Sequence, residues 1–323
     1  MAQPIWAPLT AFTGALVIIW WLTRSGLSML ALDHPNQRSL HQAPVPRTGG
    51  IGIHAGILLG WAMVTPSLPL VLWLALAILL TVSFLDDVRG VPVIGRLAAH
   101  LLAACALAAS LLLADFGFIA VLIATLTIAW MANLYNFMDG SDGLAGGMTV
   151  FGFSCYGVMA WLAGNTVFAL LNVSVAAASA AFLVFNFHPA RVFMGDVGSV
   201  PLGFLAAAFG LIGWLHGDWP VWFGITVFSP FIVDASLTLL KRLLRGARVW
   251  QAHREHYYQR LVQSGWGHRK TALAEYALML LCSGAAMFGA RQGQILQLAV
   301  LGALALFYTG LAVALERYFP RHA

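Results

Sequence analysis

The chain has 323 residues, 60% of them hydrophobic and 9% charged, with a mean hydropathy of +0.83. Soluble domains carry roughly 25% charged residues, so this composition excludes a water-soluble globular protein. The net charge of +5 comes from basic residues that follow membrane topology, so no nucleic-acid partner is expected.

Apolar runs of about 20 residues recur along the whole length, the pattern of a polytopic helical membrane protein. Solid runs rather than short alternating segments argue against a β-barrel. In chain order, helical spans are predicted over 5–23, 50–65, 70–86, 97–114, 117–134, 144–163, 167–185, 200–215, 219–241, 272–290 and 293–316. The expectation is therefore one all-α integral membrane domain, 1–323, with about eleven transmembrane helices. The first span has no basic residue before it and Arg24 after it, so it lacks a signal-peptide n-region and is read as a retained helix. Cys105, Cys155 and Cys282 fall inside spans without metal-ligand spacing and are read as packing residues.

With this span set and a periplasmic N-terminus, every Lys and Arg except Arg291 lies in or beside a cytoplasmic segment. The positive-inside rule favours that orientation, which puts the C-terminus in the cytoplasm. The external connections, near 66–69, 114–117, 164–166, 216–218 and 291–292, are short. The polar clusters fall in 24–49, 86–96, 135–143, 186–199 and 242–271, so an active site is expected on the cytoplasmic face. A transporter, the alternative from another class, would place polar groups at the bilayer midplane. Asp234 is read as the one acidic residue well inside a span, which gives such a path little support.

The first cytoplasmic loop carries Arg47 and Thr48 before Gly49-Gly50, which open a helix. Backbone amides there suit an approaching anion, and a basic loop touching lipid head groups is the plainer reading. Asp86 and Asp87 end the third span; adjacent carboxylates at the hydrocarbon boundary suit Mg²⁺ or proton transfer, or a solvated helix end balanced by Arg89 and Arg96. Asn133, Asn136, Asp139 and Asp142 are spaced by threes, which places them on one face of a helical turn. The loop lacks the terminal Glu of a calcium EF-hand. Asp196 lies between Gly195 and Gly198, as a metal ligand near phosphate or as a helix cap. The last segment is basic and aromatic, with His253, Arg254 and His256. It suits a nucleotide-sugar diphosphate or a membrane surface, and no third ligand accompanies the two histidines for zinc.

Taken in this order, the motifs resemble those of the polyprenyl-phosphate N-acetylhexosamine-1-phosphate transferase family, and more distantly the phospho-MurNAc-pentapeptide transferases. They are D-x-P-N-x-R-S-x-H-x-x-P-x-P-R-x-G-G at 33–50, F-L-D-D at 84–87, N-x-x-N-x-x-D-G-x-D-G-L-A at 133–145, N-F-x-P-A-x-x-F-M-G-D-x-G-S at 186–199 and H-R-x-H-x-Y-Q-R-L at 253–261. The resemblance implies Mg²⁺, with Mn²⁺ as a substitute, on Asp196 with Asn136 as a second ligand. It implies Asp86 and Asp87 near the lipid phosphate, one of them as a base. Asp139 is counted with them as catalytic, and Asn133 with the substrate contacts. Asp142, Asn186 and Phe193 match positions that hold uridine, and His253, Arg254 and His256 a region contacting diphosphate and sugar. The implied reaction moves an N-acetylhexosamine-1-phosphate from UDP-GlcNAc or a related UDP-N-acetyl-deoxysugar to undecaprenyl phosphate, releasing UMP and starting a lipid-linked glycan such as O-antigen. The implied place is a bacterial inner membrane, with membrane lipid and a second copy of the chain among the partners.

Two departures stand out. His-Arg-Glu-His at 253–256 replaces a run of three histidines, and eleven spans exceed the ten of the peptidoglycan enzyme, which argues against a MurNAc-pentapeptide substrate. Asp139-Gly140-Ser141-Asp142-Gly143 also resembles part of the CDP-alcohol phosphotransferase motif, but residues 144–163 contain neither the Arg nor the further Asp residues it requires.

Overall fold

The computed structural model describes residues 4–27, 31–33, 44–64, 68–248, 251 and 253–319. Residues 34–43 of the first motif, including Pro35, Asn36, Arg38, Ser39 and His41, lie outside the described residues. The helices are α1 (Ala7–Arg24), α2 (Gly49–Ala62), α3 (Leu70–Arg89), α4 (Val93–Phe137), α5 (Leu144–Leu162), α6 (Thr166–Asn186), α7 (Asp196–Leu215), α8 (Phe223–Val227), α9 (Ser229–Leu244), α10 (Tyr257–Leu261), α11 (Gly267–Ala290) and α12 (Gln294–Tyr318). Among the described residues, 8 helices are long and apolar enough to cross a membrane. The protein is thus an all-α polytopic membrane protein, with one addition that no apolar run announced. A two-residue ladder pairs β1 (Leu32–Asp33) antiparallel with β2 (Val45–Pro46), Leu32 opposite Pro46.

Small residues set the contact between α1 and α2. On α2, Gly52, Gly56 and Gly60 recur every four residues and meet Ile19, Ala15, Ala11 and Ala7 of α1. A Cβ on Gly56 would stand 2.5 Å from the Ala11 carbonyl oxygen. In lipid, where apolar surface gains little from leaving the solvent, such close backbone approach is what holds helices together. Helices α5, α6 and α7 are the most enclosed, whereas α12 packs its length against little else.

Three elements differ from the expected spans. The 45-residue α4 would measure about 67 Å if straight, twice the hydrocarbon thickness; Gly117, at φ 74° and ψ −176°, takes the chain off the helical path between the two expected spans. The expected span 219–241 is broken into α8 and α9 at Phe228. Pro230, in the first turn of α9, has no N–H with which to continue α8. Helix α7 starts at Asp196, not at 200, because a side chain 109 residues away caps it. A further correction concerns charge, since Glu275 of α11 is, like Asp234, a carboxylate within a helix of the bundle.

Candidate active site

The site is built on a short ladder between two loops. Phe193 N–H donates to Pro46 O at 2.8 Å, Gly49 N–H to Phe193 O at 2.9 Å and Gly50 N–H to Met194 O at 2.8 Å. A Cβ on Gly50 would lie 2.3 Å from Gly198 N, so the glycine pair exists to let α2 touch the start of α7. This corrects the expectation that the Gly49 and Gly50 amides face an anion. Thr48 is buried, its hydroxyl without a hydrogen-bond partner among the described residues. The Arg47 guanidinium pairs with Asp33 at 2.5 Å and lies 3.9 Å from Asp87.

The two adjacent carboxylates divide their work. Asp87 Oδ1 accepts from Asp196 N–H at 3.0 Å, and Oδ2 from Val197 N–H at 2.9 Å. First-turn amides have no partner inside their helix, and a carboxylate at the positive end satisfies both them and the helix dipole. Asp87 is therefore the cap of α7. Asp86 instead accepts from Val91 N–H at 2.6 Å and from Arg96 Nη1 at 2.6 Å. Arg96 also reaches Asp196 Oδ2 at 3.3 Å, which identifies Arg96, not the exposed Arg89, as the basic partner of the Asp pair. Asp139, just past α4, accepts no hydrogen bond among the described residues. Burial, then the nearby Asp196 and Asp87, raises its carboxyl well above the usual range.

Asn133 donates to Ala129 O at 2.7 Å, and Asn136 Oδ1 accepts from Ser199 Oγ at 3.1 Å. Asn186 bridges two loops, accepting from Gly143 N–H and donating to Val192 O, both at 2.9 Å. Asp142 Oδ2 accepts from His188 Nδ1 at 2.7 Å and from Ala190 N–H at 3.1 Å. His268, at the start of α11, approaches Ser141 Oγ at 2.9 Å.

The last loop is fixed by a second buried carboxylate. Asp234 Oδ1 accepts from Tyr257 N–H at 2.9 Å, and Oδ2 from Tyr258 N–H at 3.0 Å, capping α10 as Asp87 caps α7. Tyr258 OH donates to Phe137 O at 3.0 Å and fills the space a Cβ at Gly140 would need. His256 is buried 3.4 Å from Asp234 Oδ1, its ring stacked with those of Phe137 and Tyr258. His253 Nδ1 accepts from Glu255 N–H at 3.3 Å. Burial, reinforced by His256 and Arg242, holds the His253 imidazole down at about 4.

These residues surround one cavity of about 1020 Å³. Arg47, Asp86, Asn133, Asn136, Asp139, Asp142, Asn186, Phe193, Asp196, His253 and His256 all line it. Asp87, Thr48 and Arg254 do not, the first because it faces α7. Sequence reasoning missed His100, Gln251 and His268, which also line the cavity and sit at no spacing that announces a site; Gln259, inside the fifth motif, lines it too but was not singled out. The donors at the carboxylate end are oxygens, and no cluster of three or more His, Cys, Asp or Glu forms a ready metal cage among the described residues. That set fits Mg²⁺, which takes one or two carboxylates and fills its octahedron with water and phosphate oxygens; it does not fit zinc.

Comparison with known proteins matches the glycosyl transferase family 4 model to residues 69–214. The chain is 30% identical over 279 residues to an undecaprenyl-phosphate alpha-N-acetylglucosaminyl 1-phosphate transferase of Escherichia coli K12, covering 78% of this chain and 75% of that one. It is 27% identical over 307 residues to a probable undecaprenyl-phosphate N-acetylglucosaminyl 1-phosphate transferase of Bacillus subtilis, covering 88% and 84%. A phospho-N-acetylmuramoyl-pentapeptide-transferase of a Geobacillus strain is 34% identical over 167 residues, 52% of this chain and 50% of that one. On the strength of that shared length and of the loops gathered around one cavity, the chain belongs to glycosyl transferase family 4.

Proposed function

We propose that the protein is a Mg²⁺-dependent transferase that moves an N-acetylhexosamine-1-phosphate from a UDP-sugar to undecaprenyl phosphate, releasing UMP. The observation that carries this reading is the one cavity joining carboxylates, two arginines and an apolar flank. The relatives named for this reaction favour it over transport.

Counting α4 as two spans about Gly117 and α8–α9 as one gives eleven crossings. The N-terminus is then periplasmic, and the C-terminus and the cavity cytoplasmic, in a bacterial inner membrane. The whole chain acts as one catalytic domain, and homodimers are the assembly to test. Leu97, Leu101, Leu126, Ala129 and Leu239 give the cavity an apolar side, where the polyprenyl tail leaves for the bilayer.

Asp196 and Asn136 would hold Mg²⁺, which when bound neutralises the donor diphosphate. Arg96 fixes the Asp86 and Asp196 carboxylates relative to each other. An oxygen of the lipid phosphate attacks the sugar-linked phosphorus. A new P–O bond forms, the bridging P–O bond breaks, and its electrons leave with UMP, the two oxygens held roughly in line. A phosphate monoester has its second pKa near 6, so the acceptor is largely dianionic at neutral pH and needs only modest help from Asp86 or Asp139. Direct attack follows, without a covalent aspartyl-phosphate, and UMP does not exchange into UDP-sugar in the absence of lipid. Uridine lies at Asp142, Asn186 and Phe193, where the aromatic ring can stack on the base. Arg47, Thr48, Asn133, His253, Arg254 and His256 serve substrate binding, with Thr48 and Arg254 acting from behind the wall.

The test is UMP release by purified protein given undecaprenyl phosphate, Mg²⁺ and a panel of UDP-N-acetyl sugars. Release that requires lipid and metal supports the reading and names the sugar. Failure with every donor, in lipid that supports a related transferase, ends it.

A further inference from the structure

Outside the catalytic cavity, α9 and α12 enclose a second hollow of about 800 Å³ that shares no lining residue with the first. Helix α12 has one buried residue, Leu304, and Val313 on the rim of the hollow is 63% exposed. The walls are apolar, with Ile232, Val233 and Leu237 on α9 and Ala305, Ala312 and Val313 on α12. The polar side chains among them are already hydrogen-bonded within the protein. Ser236 Oγ accepts from Trp130 Nε1 at 3.2 Å, Thr309 Oγ1 donates to Ala305 O at 2.8 Å, and Tyr308 OH lies 2.7 Å from Ser229 Oγ. Such a groove offers little to water, which needs several polar partners, and suits an acyl chain.

One end of the groove is charged. Lys241 lies in the last turn of α9, and Glu316 and Arg317 in the last turn of α12. Glu316 accepts from Lys241 Nζ at 2.8 Å and from Arg260 Nη1 at 3.0 Å. Arg317 is exposed and pairs with no carboxylate among the described residues. Three cations therefore share one carboxylate. Lys241 also donates to Tyr257 OH at 2.5 Å, which puts the charged end beside α10 and the cytoplasmic loops. From Ile232 to Lys241 the groove runs about 14 Å along α9, close to half the hydrocarbon thickness and so the depth of one leaflet. A basic notch closing an apolar groove between helices is complementary to an anionic head group. We propose that the α9–α12 groove binds a bilayer phospholipid with an anionic head group, its phosphate at Lys241 and Arg317 and an acyl chain along α9. The carrier lipid is a poor occupant, because in the proposed reaction its phosphate meets Asp86 and Asp196 in the other cavity. Through Tyr257 the head group is tied to α10, whose Gln259 lines the catalytic cavity, so occupancy steadies that wall.

The experiment is native mass spectrometry of the full chain in detergent, given phosphatidylglycerol or phosphatidylcholine of the same acyl chains, with thermal unfolding beside it. The wild type should retain one phosphatidylglycerol more tightly than phosphatidylcholine, and gain melting temperature from it. A surface cation adds about fivefold to the affinity for an anionic lipid, so Arg317→Ala should lose about that much of the preference. Lys241 is not the residue to change, because its loss would also untie Tyr257 and Glu316. Ala312→Trp, which fills the groove with an indole, should lose tight binding of either lipid. Phosphatidylglycerol binding unchanged in both variants overturns the proposal and leaves only annular contact. Displacement of phosphatidylglycerol by undecaprenyl phosphate, with Ala312→Trp losing both, also overturns it and makes the groove part of the carrier-lipid path. A dimer that Ala312→Trp breaks, with no lipid retained by the wild type, overturns it in favour of a second copy of the chain. Should Ala312→Trp not fold, Arg317→Glu replaces it, and an unchanged preference there overturns the proposal. None of these measurements depends on sugar transfer, so the lipid site and the proposed reaction fail separately.

Discussion

Two neighbouring aspartates show how much a motif tells and what it withholds. Asp86-Asp87 was legible as an acidic pair with a role to fill, because two carboxylates at a membrane boundary need a reason to be there. Which one faces the cavity was not legible, because the answer lies in amides of Asp196 and Val197, more than 100 residues away. The structure separates two effects. Asp87→Ala should remove a helix cap, lowering stability by about 0.5–2 kcal/mol and activity with it, since Asp196 sits in the capped turn. Asp86→Asn should leave the melting temperature in detergent nearly unchanged, yet cut UMP release by roughly a hundredfold. Melting curves and initial rates on both variants decide it; equal destabilisation by the two would show that the division is wrong. His268 marks the opposite case, a wall residue with no spacing to betray it, found only because folding brings the start of α11 to Ser141.

His253 carries a pH prediction at the same scale. Its imidazole sits at about 4, below the ordinary value of 6.5, chiefly because it is buried. The unfolded chain therefore binds the proton more readily than the folded one between those values. The stability contribution is complete above pH 6.5 and is lost as pH falls toward 4. His253→Gln should flatten the acid-side loss of thermal stability in that window and leave stability at pH 8 little changed. In the ligand-free protein at neutral pH, His253 is then a neutral hydrogen-bonding group rather than a cation.

At the scale of elements, hydropathy located every long helix, because a run of apolar residues has no other way to cross lipid. What it missed were breaks and starts. The α8–α9 break was readable in Pro230, whereas the early start of α7 was not, since its cap comes from another helix. Asp234 was read as an isolated intramembrane charge; it is the cap that seats α10 and, through Tyr258, joins the last loop to Phe137. The resemblance between Asp87 on α7 and Asp234 on α10 is one of design, a buried carboxylate holding the first turn of a helix that presents site residues. Asp234→Ala should release α10, so that KM for the UDP-sugar rises several-fold and residues 253–261 become more sensitive to limited proteolysis. Tyr258→Phe, which loses only the bond to Phe137, should show a smaller effect in the same direction. An Asp234→Ala enzyme with wild-type KM and protease resistance would remove the positioning role.

Over the whole molecule, Asp86, Asp139, Asp196 and His253 come from separate loops and meet in one cavity. The sequence assigns those loops and nearly all the basic residues to one side of the membrane, because retained positive charge belongs to the cytoplasm. The convergence of those loops on one cavity was foreseen as a need; its walls, and the exclusion of Asp87, Thr48 and Arg254 from them, required the fold. The measurement that tests the account most directly places the protein in vesicles with undecaprenyl phosphate, Mg²⁺ and sugar-labelled UDP-sugar, beside Asp196→Ala. The account predicts that label enters the lipid extract as polyprenyl diphosphate sugar, with one UMP released per sugar, and that Asp196→Ala loses both by roughly a hundredfold or more. Label accumulating as intact UDP-sugar inside the vesicles, without UMP release, would contradict it.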